Sequence, residues 1–495
     1  MSDKFPSRVL EHLRVRAGEV VLERAGQEVT GAGMLSLVCR ATAALRTAGA
    51  GPGSGVALMV GVTAQGFAAN LAAHVVGARV SGVRPGLTAD QLAYLLDERI
   101  GWGLVDAATP VDLVLKARPD LVLVDVDRLT LDRDADEDHD LEPRGRDADE
   151  ARITYTSGST GNPKGAAQTY AALNADWPSR TEFHSDVLAD LGSRLDRYLL
   201  HGTLSSAVML DYALMTLLHG GRLVIPERDA PFPELVARHR LTGSIITVPK
   251  LLALLAAVRD EGADVSGLRG LMVSGSPLDP RRYAEALHLL GPIVFQGYGQ
   301  TECGLISMLS PDQALASEAA MTSVGRPLPR NQVQTRDDGE IYVRTPQQTV
   351  GYINQGDIER EQAEVFTPDG WIRTRDLGGL DAEGFLHLEG RARDVVIVNA
   401  NVYYAGPIER VLATHPSVDS AYVVGVPDET TGEAIEAFLI LRDDTPTELL
   451  EPGLRRAVTE RLGEAWVPRG FTVIDELPLT PGGKPDKKAL RRPLV

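Results

Sequence analysis

Between about residues 40 and 306 the chain alternates two hydrophobic patterns. Short apolar runs rich in Val, Ile and Leu end in Gly, Pro or Ser, at residues 55–60, 121–126, 222–226, 244–248, 271–274 and 293–295. Between them, segments 67–76, 89–96, 251–259 and 280–290 carry apolar residues at helical spacing. Such alternation predicts helices packed on largely parallel sheets. From 325 to 390 the texture changes. Strand-like 340–344, 371–374 and 385–389 are separated by the turns Asp337-Asp338-Gly339, Asp369-Gly370 and Glu383-Gly384. These predict a small antiparallel β subdomain. After Arg391 a third pattern begins: a strand at 395–398, a helix near 407–415, strands at 420–426 and 434–441, a helix near 452–463 and a strand at 470–474. The expected class is α/β, with a large N-terminal domain (1–390) of parallel-rich sheets plus the β subdomain. A small α+β C-terminal domain (391–495) follows.

Composition narrows the function. At 495 residues the chain exceeds one hydrophobic core. Apolar residues at 43% and charged residues at 24% are ordinary for a folded protein. A formal net charge of -18 disfavours non-specific binding to nucleic acid or anionic lipid, but not a small anion met by a local cluster of donors. The two cysteines, Cys39 and Cys303, form no disulfide framework or metal site by their spacing, and Cys303 reads as packing. The longest apolar run, 204–218, is interrupted by Asp211 and is too short to span a bilayer. The first residues lack a secretory pattern, so a cytoplasmic location is expected. Residues 132–150, mostly acidic, read as a solvated loop.

The candidate chemistry centres on YTSGSTGNPKG, residues 155–165, which follows a strand-like start. Gly158, Gly161 and Gly165 permit tight turns. Thr156, Ser157, Ser159 and Thr160 supply hydroxyls, and backbone N–H groups with Lys164 can surround a polyphosphate. The loop is not of the Walker type, because Pro163 precedes the lysine and Gly165 follows it.

This segment resembles the signature loop of the acyl-adenylate-forming superfamily: acyl-CoA synthetases, peptide-synthetase adenylation domains and luciferase. Further segments resemble that family's motifs in the same order. Tyr298-Gly299-Gln300-Thr301-Glu302 implies Tyr298 against adenine, Thr301 on the α-phosphate and Glu302 on Mg²⁺. Ser274-Gly275 would run along the adenine face. Thr374-Arg375-Asp376 places Asp376 on the ribose hydroxyls, with Arg375 where the family has glycine. Gly390-Arg391-Ala392-Arg393-Asp394 gives Arg391 to the ribose and Arg393 to the hinge. Lys484, in Thr480-Pro481-Gly482-Gly483-Lys484, would be the catalytic lysine, and Lys487 and Lys488 read as solvated. His201 and Gly297 would line the acid pocket.

The resemblance implies ATP-dependent adenylation of an acid with release of pyrophosphate. Transfer to a second substrate would follow once the mobile small domain rotates. ATP and Mg²⁺ are the implied cofactors. The acceptor is CoA, a phosphopantetheine carrier protein or an amine; no nucleic-acid or membrane partner is expected. One departure keeps the acceptor open. At 398–407 the family's glycine-rich loop is replaced by a stretch with Asn399 and Ala400, and Ala405 stands where a proline is expected. Side chains there would narrow a thiol channel. An oxyacid such as nitrite, attacked by an aromatic amine in diazotase fashion, is the alternative to a carboxylate–thiol ligase.

Overall fold

The computed structural model describes the chain except residues 1–3, 131–139, 157–162, 182–185, 228–229, 277, 354–357, 393, 400, 429, 443–445, 481–484 and 492–495. The side chains of 156, 176–181 and 358–361 also lie outside the description. Helices and sheets alternate as the hydrophobic pattern requires, and two large sheets result. The seven-stranded sheet runs in the order Gly351–Tyr352, Lys164–Thr169, Glu150–Thr156, Arg79–Gly82, Gly55–Leu58, Trp102–Val105, Val122–Asp125. Its inner pairings are parallel, and its antiparallel edge is the hairpin 150–169 plus Gly351–Tyr352. The nine-stranded sheet runs Arg326–Pro327, Gly304–Leu309, Val294–Gln300, Gly270–Ser274, Gly243–Thr247, Arg197–Leu199, Arg222–Ile225, Val20–Arg24, Gln27–Thr30.

One apolar core joins the two sheets through the helices Gly31–Thr47, Ala64–Val75 and Ala207–Leu218. Each begins where a hydroxyl satisfies an otherwise unpaired N–H: Thr30 accepts from Gly33, Thr63 from Gly66 and Ser206 from Met209. Ala207–Leu218 is buried over nearly its whole length, which explains its apolar run; Asp211 within it pairs with Arg152. Among the described residues no helix is long and apolar enough to cross a membrane.

The expected β subdomain is a four-stranded antiparallel sheet of Gln332–Thr335, Glu340–Arg344, Ile372–Leu380 and Leu386–Arg391. The C-terminal pattern is a five-stranded sheet of Val395–Val398, Asn401–Tyr404, Val418–Asp428, Gly432–Leu441 and Gly470–Val473. With the helices Ala405–Leu412 and Thr447–Leu462 it encloses its own apolar cluster.

Two local expectations change. The stretch at 398–407 contains a β-hairpin, Val395–Val398 against Asn401–Tyr404, before the helix starting at Ala405. Asn399 takes φ +49 at the turn, a left-handed conformation that Asn tolerates better than most residues. Lys487 is not solvated. Its Nζ is 2.6 Å from Glu409 Oε1 and also pairs with Asp394, and only 23% of its side chain is exposed. Two carboxylates from elements far back in the chain surround it, which its local Lys-Lys context does not reveal. Burial alone would lower its pKa; Glu409 and Asp394 more than reverse that and raise it.

Candidate adenylation site

Several candidate residues lie at the carboxyl ends of parallel strands, where open α/β sheets usually bind ligands. Glu150–Thr156, which precedes the candidate phosphate segment in the sequence, lies parallel to Arg79–Gly82. In the other sheet, His201 follows Arg197–Leu199, Ser274 ends Gly270–Ser274 and Gly275 follows it, and Thr301 follows Val294–Gln300. His201 is half-buried, and Gly275 is exposed at φ +97. Gly297 lies on the interior strand Val294–Gln300. A Cβ there would stand 2.5 Å from Met272 Cε, so glycine lets the neighbouring strand's side chain pack across it.

Tyr298-Gly299-Gln300 belongs to the strand rather than to a turn after it, because the strand continues antiparallel to Gly304–Leu309. Thr301, Glu302 and Cys303 make the turn between these strands. Gly304 takes φ +68, and a Cβ would meet the Gln347 side chain at 2.6 Å. Cys303 is fully buried as packing, with burial holding its thiol well above the ordinary range.

Asp376 is the best-prepared acceptor in the site. It projects from a bulge in Ile372–Leu380, where the pairing with Glu340–Arg344 slips between Glu340/Leu377 and Tyr342/Arg373. Tyr298 OH donates to its Oδ2 at 2.7 Å, and Gln300 Nε2 donates to the same oxygen at 2.6 Å. Arg391, its cross-strand partner, brings Nε to 3.2 Å from Oδ1 while remaining 66% exposed. Burial and then the Asp376 charge push the Tyr298 phenol well above its usual pKa, so it remains a neutral donor. Arg375, the glycine replacement, takes φ +61 and keeps the backbone shape that glycine adopts freely. Its Nη2 lies 3.6 Å from Glu364 Oε2.

Glu302 Oε1 accepts from Tyr352 OH at 2.5 Å. A carboxylate has about four acceptor positions, so capacity remains for a hard cation. Tyr352 sits on the strand beside Lys164–Thr169, with Ile353 N donating to Gly165 O at 2.8 Å. Glu302 is thereby tied to the strand Lys164–Thr169. Lys164 opens that strand opposite Thr156 and is half-buried. The calls on Ser157, Gly158, Ser159, Thr160, Gly161, Arg393, Lys484 and the Thr156 side chain lie outside the described residues.

Sequence reasoning missed Tyr352 and Gln300. Tyr352 is far from Glu302 along the chain, and Gln300 occupies the unspecified position of its motif.

The arrangement presents two carboxylates, Asp376 and Glu302, each accepting from a tyrosine hydroxyl, and the chain has counterparts among known proteins. The chain belongs to the AMP-binding enzyme family. The family model "AMP-binding enzyme" matches residues 10–353, and "AMP-binding enzyme C-terminal domain" matches 407–484. A medium/long-chain-fatty-acid–CoA ligase of Mycobacterium tuberculosis is 32% identical over 366 residues, covering 68% of this chain and 60% of that relative. A 2-succinylbenzoate–CoA ligase of Bacillus mycoides is 34% identical over 354 residues, 69% of each chain. An amide bond synthetase from Marinactinospora thermotolerans superposes with a TM-score of 0.83 at 31% identity, covering 98% of this chain and 99% of that one.

Proposed function

We propose that the protein joins an acid to ATP, releases pyrophosphate, and passes the acyl group from the resulting adenylate to a second substrate. The observation that carries this reading is the pair of pre-aimed carboxylates. Tyr298 and Gln300 orient Asp376 for two ribose hydroxyls, while Tyr352 orients Glu302 beside the phosphate-loop hairpin. ATP is the co-substrate and Mg²⁺ the metal, with Glu302 as its protein ligand. When bound, Mg²⁺ neutralises charge on the departing pyrophosphate. The chain's own groups position and stabilise. Asp376 and Arg391 hold the ribose, Ser274 and Gly275 border the adenine, and Thr301 donates to the α-phosphate. Loop 156–161 and Lys164 cradle the outgoing phosphates. Lys484 carries positive charge to the acid oxygen and α-phosphate, an effect strongest when water is excluded. His201 and Gly297 border the acid. In this reading 1–390 binds ATP and acid, and 391–495 is a mobile unit turning about Arg393. A cytoplasmic location suits its need for ATP.

CoA is the first acceptor to test, with a carrier protein beside it; the two curated relatives are named as CoA ligases. A specific observation favours an amine as the second reading. Asn399 and Ala400 stand in the sequence where the family has glycines, and one solved structure matching nearly the full length is named an amide bond synthetase, beside an o-succinylbenzoate CoA synthetase that matches as fully. Nothing in the site or the relatives' names favours nitrite.

The test is AMP release from ATP with aliphatic and aromatic acids, each with CoA or an amine. AMP with acid and CoA makes a thioester ligase; AMP accelerated only by amine makes an amide synthetase. Lys484→Ala should bind ATP yet release no pyrophosphate, and unchanged release would remove Lys484 from the mechanism.

A further inference from the structure

A buried polar chain outside the motifs links the two ends of the site. Arg152 lies on the strand entering the phosphate loop, and Gln168, its in-register partner, lies on the strand leaving it. Arg152 Nη1 donates to Asp211 Oδ1 at 2.7 Å. Its Nε and Nη2 both donate to Gln168 Oε1, at 3.0 and 2.7 Å. Two donors on the amide oxygen fix which end of that amide is which, so Gln168 Nε2 must face the other way. It donates to the carbonyl of Gln347. Gln347 Nε2 in turn donates to Leu305 O at 3.0 Å, just past the Thr301–Cys303 turn.

Residues 345–350 therefore form a strap between hairpin and turn. Thr345 Oγ1 donates to Cys303 O at 2.7 Å, Thr349 N to Glu302 O at 2.8 Å and Val350 N to Ala167 O at 2.8 Å. Where the strap meets the hairpin, the Gln168 amide is a group whose orientation a second side chain, Arg152, sets. Gln168 and Gln347 are 7% and 5% exposed, so water does not readily substitute for either.

We propose that Arg152 is a positioning residue for nucleotide and metal binding: by orienting the Gln168 amide toward Gln347, it sets the Thr301–Glu302 turn at a fixed place relative to the phosphate-loop hairpin. Asp211 belongs to the same device, because it holds the guanidinium in the plane that reaches Gln168 with two N–H groups. This rests on the adenylation reading above. A structural ion pair would need only Asp211; the amide switch and the strap give Arg152 a consequence at Glu302.

Removing Arg152 alone would leave the Asp211 charge buried and could unfold the protein. The test therefore uses Arg152→Met with Asp211→Leu, which removes both charges, and separately Gln168→Met, which leaves the ion pair whole. Melting temperature reports the fold. Calorimetric titration with ATP and Mg²⁺, without acid, reports binding independently of turnover. Acid-dependent pyrophosphate release against Mg²⁺ concentration reports the site. Both variants should melt close to the parent and bind ATP·Mg²⁺ about tenfold more weakly, as loss of an outer partner of a metal site usually does. The Mg²⁺ requirement should rise similarly, with a smaller change in kcat at saturating Mg²⁺. Unchanged binding and Mg²⁺ titration in either folded variant would overturn the proposal. So would unfolding of Gln168→Met, which would make the amide a structural element. A parent that binds ATP but releases pyrophosphate with no acid would refute the adenylation reading, and the binding comparison would still decide the role of Arg152.

Discussion

Tyr298 donates its phenol proton to Asp376 at 2.7 Å, joining an interior strand of one sheet to a bulge in another. The bond is buried and made to a charged acceptor, the kind that contributes about 1.5–3 kcal/mol. Tyr298→Phe keeps the ring and removes the donor, leaving Gln300 alone on that oxygen. ATP affinity should fall about tenfold, roughly 1.4 kcal/mol, with little change in melting temperature. Calorimetry with ATP checks this, and unchanged affinity would mean that Gln300 suffices to orient Asp376.

Tyr352→Phe should act on the metal side. Loss of its proton frees Glu302 to rotate, so the Mg²⁺ concentration for half-maximal pyrophosphate release should rise several-fold. Glu302→Gln should raise it further by removing the charge. Equal Mg²⁺ curves for the parent and Glu302→Gln would exclude this carboxylate as the ligand.

Arg375→Gly should make the protein more stable. A left-handed conformation costs an ordinary residue about 1–2 kcal/mol, and the partly exposed Arg375–Glu364 contact at 3.6 Å contributes less. The expected gain is about 1 kcal/mol, read as a raised melting temperature. A lowered one would show that the Glu364 contact outweighs the backbone strain.

Lys487→Met should destabilise the C-terminal sheet and its helices by about 2 kcal/mol, because Glu409 and Asp394 would remain as half-buried carboxylates without the lysine between them. Denaturant unfolding followed at Trp466 checks it. Lys487→Arg, which keeps the charge, should lose much less.

His74 should make the protein acid-sensitive. Burial, with a smaller contribution from the Arg152 charge, lowers its pKa from 6.5 to about 3. Below pH 6.5 the unfolded chain therefore takes up a proton that the folded one refuses. Stability should fall as pH drops from 6.5 toward 3, by at most about 1.4 kcal/mol per pH unit from this group. His74→Leu should flatten that slope, measured as melting temperature against pH. An unchanged slope would assign the acid sensitivity to carboxylates.

Much of the scaffold was legible because it follows local rules. Apolar runs at 222–226, 244–248 and 271–274 are strands within a residue of those bounds, and Pro280–Leu290 is the helix its spacing describes. The motifs mark the site because Asp376 and Glu302 stand at positions whose chemistry a reader can name. The supports that escaped, Gln300 and Tyr352, are contacts between residues far apart in the chain: Gln300 with Asp376, and Tyr352 with Glu302. Nothing local in Gly351-Tyr352 tells of Glu302, and Lys487 resembles any solvated lysine until Glu409 and Asp394 surround it. The hairpin of Val395–Val398 and Asn401–Tyr404 escaped because Asn399 was read as part of a loop with missing glycines, whereas it takes a left-handed conformation directly after the first strand.

The large sheets are interlaced along the chain, and this has a consequence at the ribosome. The strand Val20–Arg24 pairs with Arg222–Ile225, and Lys164–Thr169 gains its edge neighbour only with Gly351–Tyr352. At about 5–20 residues per second of translation, the first of these strands emerges on the order of ten seconds before its partner exists. A nascent chain arrested in that interval carries the valines of Val20–Arg24 without the strand that covers them. The two great sheets must therefore be completed late and nearly together, whereas the C-terminal sheet draws every strand from residues 395–473 and can close as soon as it leaves the exit tunnel.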